Sequence, residues 1–139
     1  MVSISIMKKK INAIQFSLGR INKYRSLALE EFIDDNDAKD IVAHNLFLAL
    51  QNVIDIGTHI IADANWEEPN FLAEIPGILA REGVITAELV KPLKGMIGLR
   101  NLIAHEYGDL DFITIFRIVQ EDLGDLTRFL EAVIKYCKL

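Results

Sequence analysis

The sequence predicts an all-α protein, an antiparallel helical bundle of four main helices plus one short helix. Three observations carry that expectation. Apolar residues recur at alternating steps of three and four along most of the chain, the spacing of one helix face. No stretch sustains a period of two, so no strand is expected. Apolar residues make up 51% of the 139, which is enough for a real core at this length.

The elements follow in order. Ile4, Met7, Ile11, Ile14, Leu18 and Ile21 form the stripe of the first helix. The acidic stretch EEFIDDND ends it, Asn36 or Asp37 is placed to cap the next helix, and Asp40 lies near that helix's N-terminal dipole. The second helix, AKDIVAHNLFLALQNVIDIGTHIIADA, is apolar around most of its circumference and must be packed on several sides. NWEEPN breaks the pattern. FLAEIPGILARE makes the short helix, interrupted at Pro76 and stopped by Gly83. Thr86 caps the next main helix, AELVKPLKGMIGLRNLIAHEY, which Pro92 kinks and Gly108 ends. Asp111 caps a last helix whose core stripe is Phe116, Val119, Leu123, Leu126, Leu130, Val133 and Cys137.

By length the chain is one domain, residues 1–139. It contains no repeat and no low-complexity linker. The longest purely apolar run, LFLAL, is far below the ~18 residues a membrane span requires. The lysines of MVSISIMKKK follow a short apolar stretch, the reverse of a signal peptide. Cys137 is the only cysteine, so no internal disulfide forms, and a cytoplasmic protein with no membrane partner is expected. A net charge of −5 argues against indiscriminate nucleic-acid binding. That charge is unevenly spread. Residues 1–29 hold Lys8, Lys9, Lys10, Arg20, Lys23 and Arg25 and no acid, while the remainder carries nine basic and twenty acidic residues, or −11. Such a basic helix is either a phosphate track, a solvated face or half of an intermolecular charge contact.

The stretch RNLIAHEY, residues 100–107, is where chemistry concentrates. At 100° per residue Met96, Leu99, Leu102 and Ile103 face the core, and Lys94, Gly98, Asn101 and His105 form a polar stripe. The Cβ vectors of Arg100 and His105 diverge by roughly 140°, but a long arginine can curl toward the stripe. Tyr107 reaches the same mouth if the helix unwinds after His105, making one small polar pocket near the helix C-terminus. On the second helix Asn45, Asn52, Asp55 and His59 interrupt an apolar element and need hydrogen-bond partners. Either they satisfy one another or sit at the bundle edge, or Asp55 pairs with Arg100 and holds it. Asp55, His59 and Asp63 step by four and offer metal ligands, but no HExxH motif or cysteine cluster joins them, so no metal is expected. His44 reads as structural or exposed. A histidine exchanges protons near neutral pH and an arginine forks onto phosphate oxygens. Together they suit attack of a hydroxyl on a phosphate, and RNA supplies that hydroxyl itself.

RNLIAHEY resembles the R-x4-H-x-Y motif of the HEPN superfamily, specifically the HepT-like ribonuclease toxins. LALQNVIDIGTHIIAD is similar to that family's second helix, and LAREGVITAELVKPLKGMIGLRNLIAHEYGDLD is similar to its approach to and exit from the motif. The resemblance implies an all-α homodimer with the motifs facing a shared cleft, and metal-independent RNA cleavage without a cofactor. It implies that Arg100 and His105 are the catalytic pair, that Asn101 is the polar residue after the arginine, and that Asp55 is a supporting polar position. It further implies a nucleotidyltransferase antitoxin partner, MntA-like, that transfers AMP onto Tyr107. Two functions remain: an RNA endonuclease toxin, or a non-catalytic HEPN module that binds nucleotide or a nucleotidyltransferase. The complete motif favours the first. Given the overall acidity, any RNA path must be a local basic strip.

Overall fold

The computed structural model of the chain describes residues 2–139, and among these no strand occurs. Helix α1, Ile4–Asn22, begins where the Ser3 hydroxyl accepts from the Ile6 N–H. It buries Met7, Ile11, Ile14 and Ile21 against the long helix that follows, its most extensive neighbour. Ile4, at the start of the predicted stripe, is instead half exposed. The acidic stretch expected to be a simple break forms a short helix, α2, Leu29–Asp34. The Glu31 carboxylate accepts from the Ala28 N–H at 2.9 Å, and buried Phe32 sits 5.7 Å from the Phe116 ring. Six residues are too few to show a helical period, so only the cap and Phe32 marked it.

Helix α3, Asn36–Asp63, is capped by Asp35 rather than by Asn36 or Asp37: its Oδ1 accepts from the Ala38 N–H at 3.0 Å. By length and composition alone α3 passes as a membrane span. Here its apolar sides are covered by α1 and by the two helices described next. Its two asparagines within the apolar run turn back on their own helix. Buried Asn45 Nδ2 donates to the Ile41 carbonyl at 2.8 Å, and partly exposed Asn52 Nδ2 to the Leu48 carbonyl at 2.9 Å. They do not satisfy one another; each takes the local solution open to short amide side chains in a helix.

Helix α4, Ile75–Arg81, follows a three-ten turn at Leu72–Glu74, and Pro76 opens it instead of interrupting it. Gly83, at φ +80°, ends it as expected. A second three-ten turn, Ala87–Leu89, precedes α5, Val90–His105. Thr86 makes no side-chain cap bond, and Pro92 falls in the first turn of α5, where its missing N–H had no intrahelical acceptor to lose. The predicted last helix is two: α6, Phe112–Glu121, capped by Asp111 as expected, and α7, Leu123–Cys137. Asp122 (φ −109°, ψ −7°) divides them, so Ile115 and Phe129, outside the predicted stripe, are buried with Val119, Leu126, Leu130 and Val133.

The α3–α4 contact depends on one missing side chain. A Cβ on Gly57 would stand 2.5 Å from Ile75 Cγ2, and both residues are buried. Alanine normally gains about 0.5–1 kcal/mol over glycine within a helix. At Gly57 the overlap with a branched, buried neighbour dominates, and Gly57→Ala should cost about 1–3 kcal/mol. Gly19, with open space where its Cβ would be, is the internal control. Urea unfolding should show a lower midpoint for Gly57→Ala and an unchanged or higher one for Gly19→Ala.

Candidate active site

Arg100 is half-buried and leans from α5 onto α3. Its Nε and Nη2 both donate to Gln51 Oε1, at 2.9 and 2.6 Å, and its Nη1 donates to Asn101 Oδ1 at 2.9 Å. The guanidinium also lies over the Phe47 ring, 5.4 Å from its centre. Among the described residues it has no carboxylate partner. Three of its five N–H groups are therefore held by neutral amides, and two stay available with the charge undiminished. The other end of the Gln51 amide is occupied too: Nε2 donates to Asp55 Oδ1 at 2.9 Å, while Lys10 Nζ pairs with Asp55 Oδ2 at 3.2 Å. Asp55 thus does not touch Arg100, so the direct pair, one of the two alternatives open to it, is not formed. It acts one residue removed, through Gln51, because Lys10 of α1 takes its second oxygen.

Asn101 and His105 are exposed on α5 with Lys94 and Gly98, so the predicted polar stripe faces solvent. Leu102, expected in the core, is 47% exposed beside a groove between α5 and α6. The helix ends at His105, two residues earlier than predicted. Glu106 leaves it at φ −137°, ψ 42°, and a three-ten turn over Tyr107–Asp109 redirects the chain. Tyr107 is thereby turned onto α3, where its hydroxyl donates to Asp40 Oδ1 and its ring meets Phe112 edge-on at 6.2 Å. Burial first, then the hydrogen bond to Asp40 and its charge, pushes the Tyr107 phenol up to about 12.

Beside Tyr107 lies a cavity of about 390 Å³, walled by Ala43, Phe47, Ile103 and Ala104 and edged by Asp40 and His44. His105 does not line it. Asp40 and Gln51 are eleven positions apart on α3, roughly 16 Å along its axis. The expected single small pocket is therefore a strip along the α3–α5 seam, with Arg100 toward one end, Tyr107 at the other and Phe47 shared between them. His44 is exposed at that rim. The candidate metal set does not converge: Asp55 is engaged as above, and His59 Nε2 accepts from the Ser3 N–H at 3.4 Å. No group of three such ligands gathers among the described residues. Sequence reading missed Gln51, Phe47 and Asp40. Gln51 did carry a signal, standing four residues before Asp55 on the same face.

Residues 14–133 match the family described as ribonuclease HepT-like. The chain belongs to the HepT-like ribonuclease family. This HepT-like chain is 30% identical over 128 residues to the mRNA nuclease HepT of Shewanella oneidensis, covering 92% of this chain and 96% of that one. It is 26% identical over 133 residues to the tRNA nuclease HepT of Aphanizomenon flos-aquae, covering 94% and 89%. The fold matches that of the tri-AMPylated HEPN toxin of Shewanella oneidensis, solved in complex with MNT antitoxin. The TM-score is 0.87 at 28% identity, over 96% of this chain and 99% of that one. The resemblance read from the motif and the all-α expectation are both borne out.

The raised Tyr107 phenol has a measurable consequence. A folded-state value above the ordinary ~10 means the neutral phenol is favoured by the fold. That contribution to stability is complete below pH ~10 and is lost as pH rises through about 12. A difference titration of wild type against Tyr107→Phe should place its phenolate signal near 12, and Asp40→Asn should bring the midpoint down. A signal already complete near pH 10 would contradict the Asp40 bond.

Proposed function

We propose that this chain is the ribonuclease toxin of a toxin–antitoxin pair, a single-domain protein that cuts RNA in the cytoplasm without a metal ion or cofactor. The observation that carries the reading is Arg100: oriented by Gln51 and Asn101, half-buried, and not neutralised by either. A guanidinium so held can fork onto a scissile phosphate and stabilise charge as it develops. His105, exposed five residues later, moves protons. The 2′-oxygen attacks its adjacent phosphorus, the bond to the 5′-oxygen breaks, one proton leaves the 2′-hydroxyl and one reaches the departing oxygen. The products are a 2′,3′-cyclic phosphate and a 5′-hydroxyl. Lys9, exposed on α1, supplies the local basic strip, and Lys10 ties that helix to the site through Asp55 and Gln51.

One His105 per chain suits a two-proton reaction poorly, which supports a homodimer with two motifs in one cleft. The apolar groove of about 690 Å³ between α5 and α6, with Leu102 in its wall exposed at 47%, supports a face for the second copy beside the motif helix. The partner that silences the toxin is an MntA-like nucleotidyltransferase that adenylylates Tyr107. The relative solved in its tri-AMPylated form with MNT antitoxin supports that regulation.

His105→Ala should lower RNA cleavage by ~10²–10⁴-fold while the fold persists. Arg100→Lys should also fail substantially, since a point charge cannot replace a two-pronged donor. Cleavage should survive EDTA and stop on a substrate with 2′-deoxy at the cut. Normal cutting of that deoxy substrate, or full activity of His105→Ala, would overturn the mechanism and favour a non-catalytic module. For the assembly, light scattering at micromolar concentration should give twice the chain mass, and Leu102→Glu should yield monomers with little activity. A monomeric wild type that cleaves RNA would remove the dimer argument. Intact-mass analysis after co-expression with an MntA-like nucleotidyltransferase should show added AMP, absent in Tyr107→Phe.

A further inference from the structure

Tyr107 and Asp40 come from different helical segments, 67 positions apart, yet meet in a hydrogen bond at the mouth of the cavity between α3 and α5. A charged carboxylate has no proton to give, so the phenol is the donor. Nothing in the RNA-cleaving arrangement needs this contact, since Asp40 lies roughly 16 Å along α3 from the residue that holds Arg100. Nor does the fold need it at an exposed aspartate: the Tyr107 ring is already seated edge-on against Phe112. The pairing does answer a chemical difficulty of the adenylylation proposed above, on which this inference rests.

We propose that Asp40 is the general base for AMP transfer onto Tyr107, so that the toxin supplies part of the catalytic machinery for its own inactivation. In that step the Tyr107 oxygen attacks the α-phosphorus of ATP, and a new oxygen–phosphorus bond forms. The bond between the α-phosphorus and the oxygen bridging to the β-phosphorus breaks, and pyrophosphate leaves with the electron pair. The phenol proton passes to Asp40 Oδ1, which already accepts its hydrogen bond. Catalytic timing follows from acidity. A phenol pushed up to about 12 is ionised to roughly one part in 10⁵ at pH 7, so waiting for phenolate would be slow. A carboxylate is too weak a base to deprotonate the resting phenol, but the oxygen becomes strongly acidic as its bond to phosphorus forms, and the proton then transfers downhill. His44 shares the cavity rim and Lys39 lies 5.3 Å from the Phe112 ring centre, yet neither is hydrogen-bonded to Tyr107.

The test is single-turnover AMP transfer by the partner nucleotidyltransferase and ATP, followed by intact mass. Asp40→Asn keeps an acceptor of the same shape but cannot take the proton. Its transfer rate should fall by ~10²–10⁴-fold with little change in the ATP concentration needed. Wild type should be flat between pH 7 and 9, because the proton passes to Asp40 within the step and no phenolate need accumulate first. Asp40→Asn should rise about tenfold per pH unit as phenolate accumulates, a dependence that a purely positioning role would not create. His44→Ala should modify normally. Wild type should also slow in deuterium oxide, a readout independent of any variant's folding. Wild-type speed in Asp40→Asn, a pH-independent loss in it, or loss in His44→Ala instead would overturn the assignment of Asp40. No AMP on wild-type Tyr107 would overturn the adenylylation reading itself, a separate and distinguishable result.

Discussion

The site depends on a single carboxamide. Gln51 must accept from a cation on one side and donate to a carboxylate on the other, and only one orientation of its amide does both. The consequence is electrostatic. Had Asp55 met Arg100 directly, the pair would have been well ordered but mutually neutralised, with little attraction left for an anion. With a neutral amide between them, Arg100 is fixed in direction and keeps its charge. Gln51 is fixed in turn by Asp55, and Asp55 by Lys10 of α1. The orientation of Arg100 therefore rests on the α1–α3 packing, the largest contact in the fold, although α1 contributes no motif residue.

A second constraint is the point at which α5 stops. Glu106 leaves helical geometry while its N–H still closes the last turn on the Leu102 carbonyl at 2.8 Å. His105 thus remains on a helix, anchored in the same element as Arg100, while Tyr107 belongs to the turn beyond. That separation divides the motif by position. Arg100 and His105 share a rigid scaffold, as the proposed chemistry demands. Tyr107 sits at another helix's edge, seated on Phe112 and tied to Asp40, where a second enzyme can approach it. A group attached there would lie beside the cavity and Phe47, the ring on which the Arg100 guanidinium rests.

Much of this was legible in the sequence. Long amphipathic runs marked α1, α3 and α5, and the motif singled out Arg100, His105 and Tyr107 as candidates, because each property is written locally in spacing and residue type. What failed to show was short or relational. Helix α2 has too few residues for a period, and the division between α6 and α7 falls at Asp122 within an unbroken apolar pattern. Leu102 obeys the wheel of α5, but no helix covers it, and an apolar stripe cannot say where its neighbours end.

Sequence by itself determined the fold class, through helical periodicity, and the family, through the resemblance of its motif and flanking stretches. It also nominated Arg100, His105 and Tyr107 by their side-chain chemistry, which needs no knowledge of neighbours. Tertiary structure alone decided which groups hold them. Charge logic allows Asp55 a pairing with Arg100 as one alternative, and the fold gives it to Lys10 and Gln51. Asp40 reads in sequence as a neighbour of a helix dipole, and the fold makes it the acceptor of the Tyr107 hydroxyl. The reason is geometric: hydrogen bonds act over about 3 Å, and which residues come that close across 49 or 67 positions is set by helix packing, which no local pattern encodes.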